Sequence, residues 1–278
     1  GTGQLGAAIS TDTGDIDFQN TSAITLAADI TLDTADTGNA GSVNLGSSTI
    51  NGGQSLTVDV AGVGANVDGT VSLGTIGNSS AIEALNITSA GVTLNGSVTG
   101  NADIDFITAD GAAASTVTAA SDITITTSND TITFGTNTSI QGTTAGQDDI
   151  TFNIGSGTLS VDGNTNGIGT TTPVGTFIVT GGGTFQFGGS LVSQALNTVD
   201  LSNVTTVLDG SNGDIDTTAG GNLPGGSDIF LGPVNADAAA NNRNLSITAG
   251  TGGTVSFTGT VGDNNLDDVT VVSAREVR

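Results

Sequence analysis

The stretch Gly69-Thr70-Val71-Ser72-Leu73 returns near the end of the chain as Gly253-Thr254-Val255-Ser256-Phe257. In both copies a polar turn leads to a second apolar strand at the same distance, beginning near Leu85 in the first and Val269 in the second. Repetition of strand, turn and strand is typical of a repeat fold. The alternating pattern predicts that eight residues point into a core: Val71, Leu73, Leu85, Ile87, Val255, Phe257, Val269 and Val271.

Two further patterns support a repeat. A looser copy runs from Phe177-Ile178-Val179-Thr180 through Gly183-Thr184-Phe185-Gln186-Phe187 to Thr198-Val199-Asp200-Leu201. A second phrase, Asp followed by alternating apolar and polar residues, begins at Asp15, Asp29, Asp103, Asp122, Asp149 and Asp228. Low complexity alone would not keep the apolar residues in phase with the turns.

The composition favours an all-β solenoid. Aromatic residues make up 3% of the 278 residues. The chain has 44 glycines but only 3 prolines, and the glycines lie between the short predicted strands. A core without large rings must be thin and filled by Ile, Val, Leu and Ala, as in a parallel β-helix. At roughly 20 residues per coil the chain would make about 13 coils. Tandem antiparallel β-sandwich domains are the alternative, but the Trp or Tyr anchor usual in sandwiches is missing.

Charge and missing residue types restrict the function. The formal charge of -24 includes only three bases, Arg243, Arg275 and Arg278, so binding to nucleic acid is excluded by repulsion. No apolar run reaches the roughly twenty residues needed to cross a bilayer, so membrane insertion is not expected. Absence of Cys and Met suits an oxidising, extracellular location.

We expect residues 1–278 to form one continuous solenoid that is a segment or processed product of a longer chain. Neither end has the polar cap that covers the last coil of a solenoid. The open ends therefore predict continuation into further coils or end-to-end self-association.

A family resemblance agrees with this. One part of the chain resembles the repeat region of giant bacterial surface and secreted proteins, the filamentous haemagglutinin-type adhesins. This part consists of Leu245-Ser246-Ile247-Thr248-Ala249-Gly250, the following Gly253 to Phe257, and Val269-Thr270-Val271. The similarity covers Leu245 to Ala274 and Gly69 to Thr108, whereas no secretion domain of that type is recognisable. It implies a right-handed parallel β-helix exported to the bacterial cell surface or the medium, and it carries over no catalytic residues. The resemblance concerns architecture and location more than a ligand; a cell-surface or glycan ligand is a separate expectation from the adhesive role.

Residues suited to catalysis are few. His, Cys, Lys and Tyr are all absent, so only carboxylate chemistry remains, as in glycoside hydrolysis. The candidate pairs are Asp148 with Asp149 and Asp267 with Asp268. Each pair precedes a strand, where acids commonly cap backbone groups, and neither has aromatic neighbours to bind a sugar ring. We therefore predict that the chain is not an enzyme, with a carbohydrate-active β-helix as the weakest alternative.

Two further hypotheses are metal binding and ice binding. Asp162, Asn164 and Asn166, with Gly167, match the first half of a calcium loop, but Pro173 stands where the bidentate acid should be. Calcium is thus the one cofactor that the sequence suggests. The pairs Thr124 with Thr126 and Thr131 with Thr133 put hydroxyls on one strand face, as in ice-binding solenoids. The function that the sequence favours remains a structural or adhesive element of an extracellular bacterial surface protein or filament.

Overall fold

The computed structural model describes residues 1–34, 38–64, 67–109, 112–161, 167–237, 243–263 and 266–278. Within these ranges the chain is all-β, without a helix. The strands are β1 (Thr2–Leu5), β2 (Ile9–Ser10), β3 (Ile16–Asp17), β4 (Ala23–Leu26), β5 (Ile30–Asp33), β6 (Val43–Asn44), β7 (Thr49–Asn51), β8 (Leu56–Asp59), β9 (Thr70–Leu73), β10 (Leu85–Ser89), β11 (Gly91–Leu94), β12 (Val98–Thr99), β13 (Ile104–Thr108), β14 (Ser115–Ala119), β15 (Ile123–Thr126), β16 (Ile132–Phe134), β17 (Thr138–Gly142), β18 (Ile150–Asn153), β19 (Thr158–Val161), β20 (Phe177–Thr180), β21 (Thr184–Val192), β22 (Val199–Leu201), β23 (Thr205–Asp216), β24 (Ile229–Leu231), β25 (Val234–Ala236), β26 (Arg243–Thr248), β27 (Thr254–Phe257), β28 (Leu266–Ser273) and β29 (Glu276–Val277).

The strands stack in parallel into a β-solenoid, or β-helix, which confirms the predicted fold. Face 1 contains β1, β4 and β7 and continues through bridges at Ile76 into β12, β15, β18, β20, β22, β24, β27 and β29. Face 2 runs from β2 through β5, β8, β10, β13, β16 and β19 to the first halves of β21 and β23, and then to β25. Tandem antiparallel sandwiches, the alternative, are therefore wrong.

Face 3 begins with β3, β6, β9, β11, β14 and β17. It continues through Ile168, which bridges Ile140 and Leu191, into the second halves of β21 and β23 and then into β26 and β28. The strands β21 and β23 are long because each turns the corner from face 2 to face 3. Each coil thus visits three faces before it stacks on the next.

The coils are longer than the sequence suggests. In a short coil near the start Thr2 pairs with Ala23, whereas in a longer coil near the end Val199 pairs with Ile229. The chain therefore makes about ten coils rather than thirteen. The coil from Thr2 to Ala23 has about the predicted length and already holds strands on all three faces, so the later coils are longer because residues are added at their corners.

The interior consists of ladders of apolar side chains, one per coil. On face 2 the register aligns Leu56, Leu85, Ile104, Ile132, Leu159 and Phe185, each at most 1% exposed. Burying an aliphatic side chain of this size stabilises the folded chain by roughly 1.5–3 kcal/mol. Because every rung covers the one before it, the ladder holds neighbouring coils together.

Five of the eight residues predicted to point inward are buried: Val71, Leu73, Leu85, Ile87 and Val255. The other three, Phe257, Val269 and Val271, are partly buried and pack against the core. They lie in β27 and β28, at the end of the described solenoid, where only the short β29 follows. Their inward direction is as predicted, and their partial exposure follows from this position.

The two copies of the opening phrase occupy different faces. Val71 lies on face 3 and Val255 on face 1, while Leu85 lies on face 2 and Val269 on face 3. Between its two strands the chain crosses the remaining face, at Ile76 on face 1 in the first copy and at Val261 on face 2 in the second. The phrase therefore covers three successive faces and begins on a different face in each copy. It does not mark a constant position in the coil.

A run of phenylalanines forms part of the core, contrary to the expectation of a core without large rings. Neighbouring ring centroids lie 4.9–5.8 Å apart along Phe106, Phe134, Phe152, Phe177, Phe185 and Phe187. All six side chains are fully buried. The aromatic fraction of the whole chain does not indicate this cluster. It is an average over 278 residues, whereas six of the nine phenylalanines lie between residues 106 and 187.

The aspartate that opens the second phrase joins coils through its side chain. In all six copies Oδ1 accepts the backbone N–H of the residue at the same position in the following coil, with N···O distances of 2.6–3.0 Å. Asp122, for example, accepts from Asp149, which accepts in turn from Thr176. Hydrogen bonds to charged groups contribute roughly 1.5–3 kcal/mol each. The recurring aspartates are therefore connections between coils.

Candidate functional site

Asp148 and Asp149 both serve as acceptors for backbone groups. The Asp148 side chain is buried, and its Oδ2 accepts the N–H of Thr143 at 2.6 Å, the Thr143 hydroxyl at 2.9 Å and the N–H of Thr144 at 3.1 Å. Asp149 Oδ1 accepts the N–H of Thr176 at 2.6 Å. Each carboxylate therefore fixes a corner, and the predicted capping role accounts for both.

The second acidic pair lies at the end of the described solenoid. Asp267 and Asp268 are exposed on β28, and the N–H of Asp268 donates to Asn244 Oδ1 at 3.1 Å. Both carboxylates are open to water, so neither has the enclosed surroundings in which a carboxyl group acts as a general acid.

The residues of the predicted calcium loop, Asp162, Asn164 and Asn166, lie outside the described residues. Among the residues that the structure describes, no group of three or more acidic side chains is arranged to hold a metal ion. The carbonyl of Pro173 accepts the N–H of Gly146 at 2.9 Å. Calcium binding at this loop stays a prediction.

The two threonine pairs lie on different faces. Thr124 and Thr126 are on face 1, where the register places them between Ser97 with Thr99 and Thr151 with Asn153. Thr133 is on face 2, next to Asp105 and Ser160. At the position of Thr124 the row of hydroxyls extends over five coils, and it ends where Ala23 and Ile178 occupy the same position: Thr49, Thr75, Ser97, Thr124 and Thr151.

An open groove of about 310 Å³ lies on face 3 in the last coils. Its lining consists of Gly189, Ser190, Asn212, Gly213, Asp214, Asn244, Leu245, Ser246 and Thr270. The register aligns four of these outward-facing side chains, one per coil, in the order Ser190, Asp214, Ser246, Thr270. The groove is therefore a row of three hydroxyls interrupted by one carboxylate.

Extra residues at one corner create the wall of this groove. Phe187 pairs with Leu208 and Gly189 with Gly213, so β23 has several more residues than β21 at the corner between faces 2 and 3. The next coil repeats this excess, since Ala236 pairs with Leu208 and Leu245 with Gly213. Such an insertion bends the strand and lifts the corner away from the face beside it.

Two asparagines are stacked along this wall. Asn212 Oδ1 accepts the N–H of Asn244 at 3.0 Å, and Asn244 Oδ1 accepts the N–H of Asp268 at 3.1 Å. Both residues line the groove, and each side-chain oxygen joins one coil to the next. The asparagines therefore fix the spacing of the coils along the wall.

Among the described residues that line the groove, Asp214 alone has an ionisable side chain. Burial raises the pKa of its carboxyl above its ordinary value, the Ser246 hydroxyl opposes this by hydrogen bonding, and the charge of Asp216 raises the pKa further. The nearby Asp216 is itself occupied, because its Oδ2 accepts the N–H of Gly220 at 3.0 Å and its Oδ1 accepts from Thr218. Asp214 is therefore a half-buried carboxylate that faces the groove.

The base next to the groove in the chain is already paired. Arg243 donates from Nε to Asp237 Oδ1 at 3.2 Å and from Nη2 to Oδ2 at 3.0 Å. This hydrogen bonding raises the pKa of Arg243. Asp237 therefore already neutralises the one arginine beside Asn244, and the groove keeps the negative charge of Asp214.

No family model, curated protein or solved structure matches the chain. Within the described ranges, no helix has the length and apolar character to cross a membrane. Sequence reasoning missed the groove because its residues come from strands that are far apart in the chain. The one signal was the stretch Asn212-Gly213-Asp214, whose counterpart Asn244-Leu245-Ser246 is visible only after the coils are aligned.

Proposed function

We propose that the chain is a non-enzymatic structural and adhesive element of an extracellular bacterial surface protein or filament. The observation that carries this proposal is the use of the recurring acidic residue, which in all six copies connects one coil to the next. The most regular polar feature of the sequence therefore supports the length and rigidity of the molecule. Asp148 and Asp149, the best candidates for carboxylate catalysis, have structural partners as well.

The mechanism is mechanical. Backbone hydrogen bonds run along the axis of the solenoid, and about ten coils with a spacing of about 4.8 Å give a rod of about 50 Å. Its faces display polar rows, such as the one on face 2 that consists of Thr31, Thr57, Asn86, Asp105, Thr133, Ser160 and Gln186. Rows of this kind offer a long, stiff surface for contact with a cell surface or glycan.

Both ends of the described solenoid present strand edges. β1, β2 and β3 each pair on one side only, as do β28 and β29. Acids lie near both edges, at Asp12, Asp15 and Asp17 near the first and at Asp267, Asp268 and Glu276 near the last, where Arg278 is paired with Glu276. Charge therefore does not drive the contact, and it is the unpaired backbone groups of the edge strands that would pair with a second copy or with further coils of a longer chain.

Immunogold labelling of intact cells of the source organism tests the location. We expect gold particles on unpermeabilised cells or on material released from them. Labelling that appears only after permeabilisation would refute the extracellular role. Sedimentation of the purified chain at increasing concentration tests the ends, where we expect axial oligomers that grow with concentration. A strictly monomeric rod at all concentrations would refute head-to-tail pairing.

A further inference from the structure

The described residues that line the groove on face 3 include one carboxylate, that of Asp214, and no base. Asp214 is half-buried, its pKa is raised by burial, and the hydrogen bond that opposes this rise comes from the Ser246 hydroxyl. A buried carboxylate is unfavourable unless it accepts hydrogen bonds. A ligand with hydroxyl donors would supply them while displacing water.

The lining offers both donors and acceptors at a regular spacing. Ser190, Ser246 and Thr270 each present one hydroxyl, and Asp214 presents its carboxylate at the same position in the coil between Ser190 and Ser246. Adjacent coils are about 4.8 Å apart, close to the length of one sugar ring. A chain of polyhydroxylated rings aligned with the solenoid axis would therefore meet one polar side chain at each step, either a hydroxyl or the carboxylate.

Charge determines which sugars fit. Asp214 lies in the groove, the neighbouring Arg243 is paired with Asp237, and the chain carries a formal charge of -24. Uronic acids and sulfated sugars would be repelled. The lining has no aromatic side chain, so a single site would bind weakly, and firm attachment would require many copies side by side.

We propose that this groove binds a neutral oligosaccharide, with Asp214 as the acceptor of sugar hydroxyls. The proposal deepens the adhesive part of the proposed function and rests on it only for its biological meaning. Binding itself depends on the groove alone. The structural role of the rod would stand if the groove bound nothing.

Two variants isolate the groove. Asp214→Ala removes the acceptor. Gly189→Asn places a side chain in the groove, where φ of +77° suits asparagine and an added Cβ meets no atom within 4 Å. The matched control is Gly182→Asn, since Gly182 also has a positive φ, +89°, and open space, but lies outside the groove lining. Circular dichroism spectra would establish that all three variants are folded.

Saturation-transfer NMR and calorimetry with cellotetraose, mannotetraose and chitotetraose test the proposal, with a hyaluronan tetrasaccharide and calcium chloride as further probes. We expect saturable binding of at least one neutral sugar, weakened about tenfold or more by Asp214→Ala and by Gly189→Asn and unchanged by Gly182→Asn. Absence of binding by every neutral sugar would overturn the proposal, as would equal binding by the groove variants. Binding of calcium or hyaluronan alone at Asp214 would overturn it too.

Discussion

Replacing Asp148 with alanine should destabilise the solenoid strongly. The buried Oδ2 accepts three hydrogen bonds, two from backbone N–H groups of Thr143 and Thr144 and one from the Thr143 hydroxyl. Deletion of a buried acceptor costs about 1–3 kcal/mol for each group left unpaired, and water will reach part of this corner once the side chain is removed. We therefore expect a loss of about 3 kcal/mol. With an unfolding entropy of about 0.6 kcal/mol/K for a chain of this size, the melting temperature should fall by about 5 °C.

Thermal and urea unfolding followed by far-ultraviolet circular dichroism measures this loss, since the chain has neither Trp nor Tyr for fluorescence. Asp267→Ala is the matched control, because that side chain is exposed on β28 and its removal should change stability by less than about 0.5 kcal/mol. Equal stability of the two variants would refute the capping role of Asp148. The Asp148 carboxylate would then be available for chemistry.

Four other predictions concern the core, the groove and the calcium loop. Thr206→Val should stabilise the fold by about 1 kcal/mol in urea unfolding, because the buried Thr206 hydroxyl has no hydrogen-bond partner among the described residues. Phe134→Ala should cost about 3–5 kcal/mol in the same assay, far more than Phe230→Ala on the outer surface. Asp214→Asn should raise the melting temperature at pH 7. The pKa of Asp214 is raised in the folded state, so ionisation of its carboxyl disfavours folding, and the substitution removes this cost. Below about pH 3.8 the carboxyl is protonated in both the folded and the unfolded state, so parent and variant should melt at the same temperature. Chelator should change the melting temperature of the parent and of Asp162→Ala by the same small amount or not at all. A large decrease confined to the parent would establish calcium binding at the loop.

The sequence predicted the fold class because apolar alternation is a local property of each strand. Val71 and Leu73, for example, alternate with Thr70 and Ser72, and both point inward. The coil length was predicted poorly. The repeated phrase begins on face 3 in one copy and on face 1 in the other, so the distance between its copies is not a whole number of turns. The corners also vary in length from coil to coil, and periodicity within strands does not reveal them.

The capping aspartates were partly predictable, whereas the groove was not. The phrase beginning at Asp29 or Asp103 marked the residue before a strand, and its bond to the next coil follows once the coils are aligned. Asp214 differs, because its importance depends on Ser190 and Ser246, which become neighbours only through the register of β21, β23 and β26. That register includes an irregular corner, and no local pattern fixes its length.

Disulfide formation between engineered cysteines tests the stacking of coils most directly, because the chain has no cysteine of its own. Thr93 and Thr118 occupy the same position in successive coils of face 3, about 4.8 Å apart, within the range that a disulfide spans. Under mild oxidation the pair Thr93→Cys with Thr118→Cys should form an intramolecular disulfide nearly completely. Thr93→Cys with Thr133→Cys, which places the second cysteine on face 2, should not. Failure of the first pair to close, or equal closure of both, would contradict the parallel solenoid and the rod built on it.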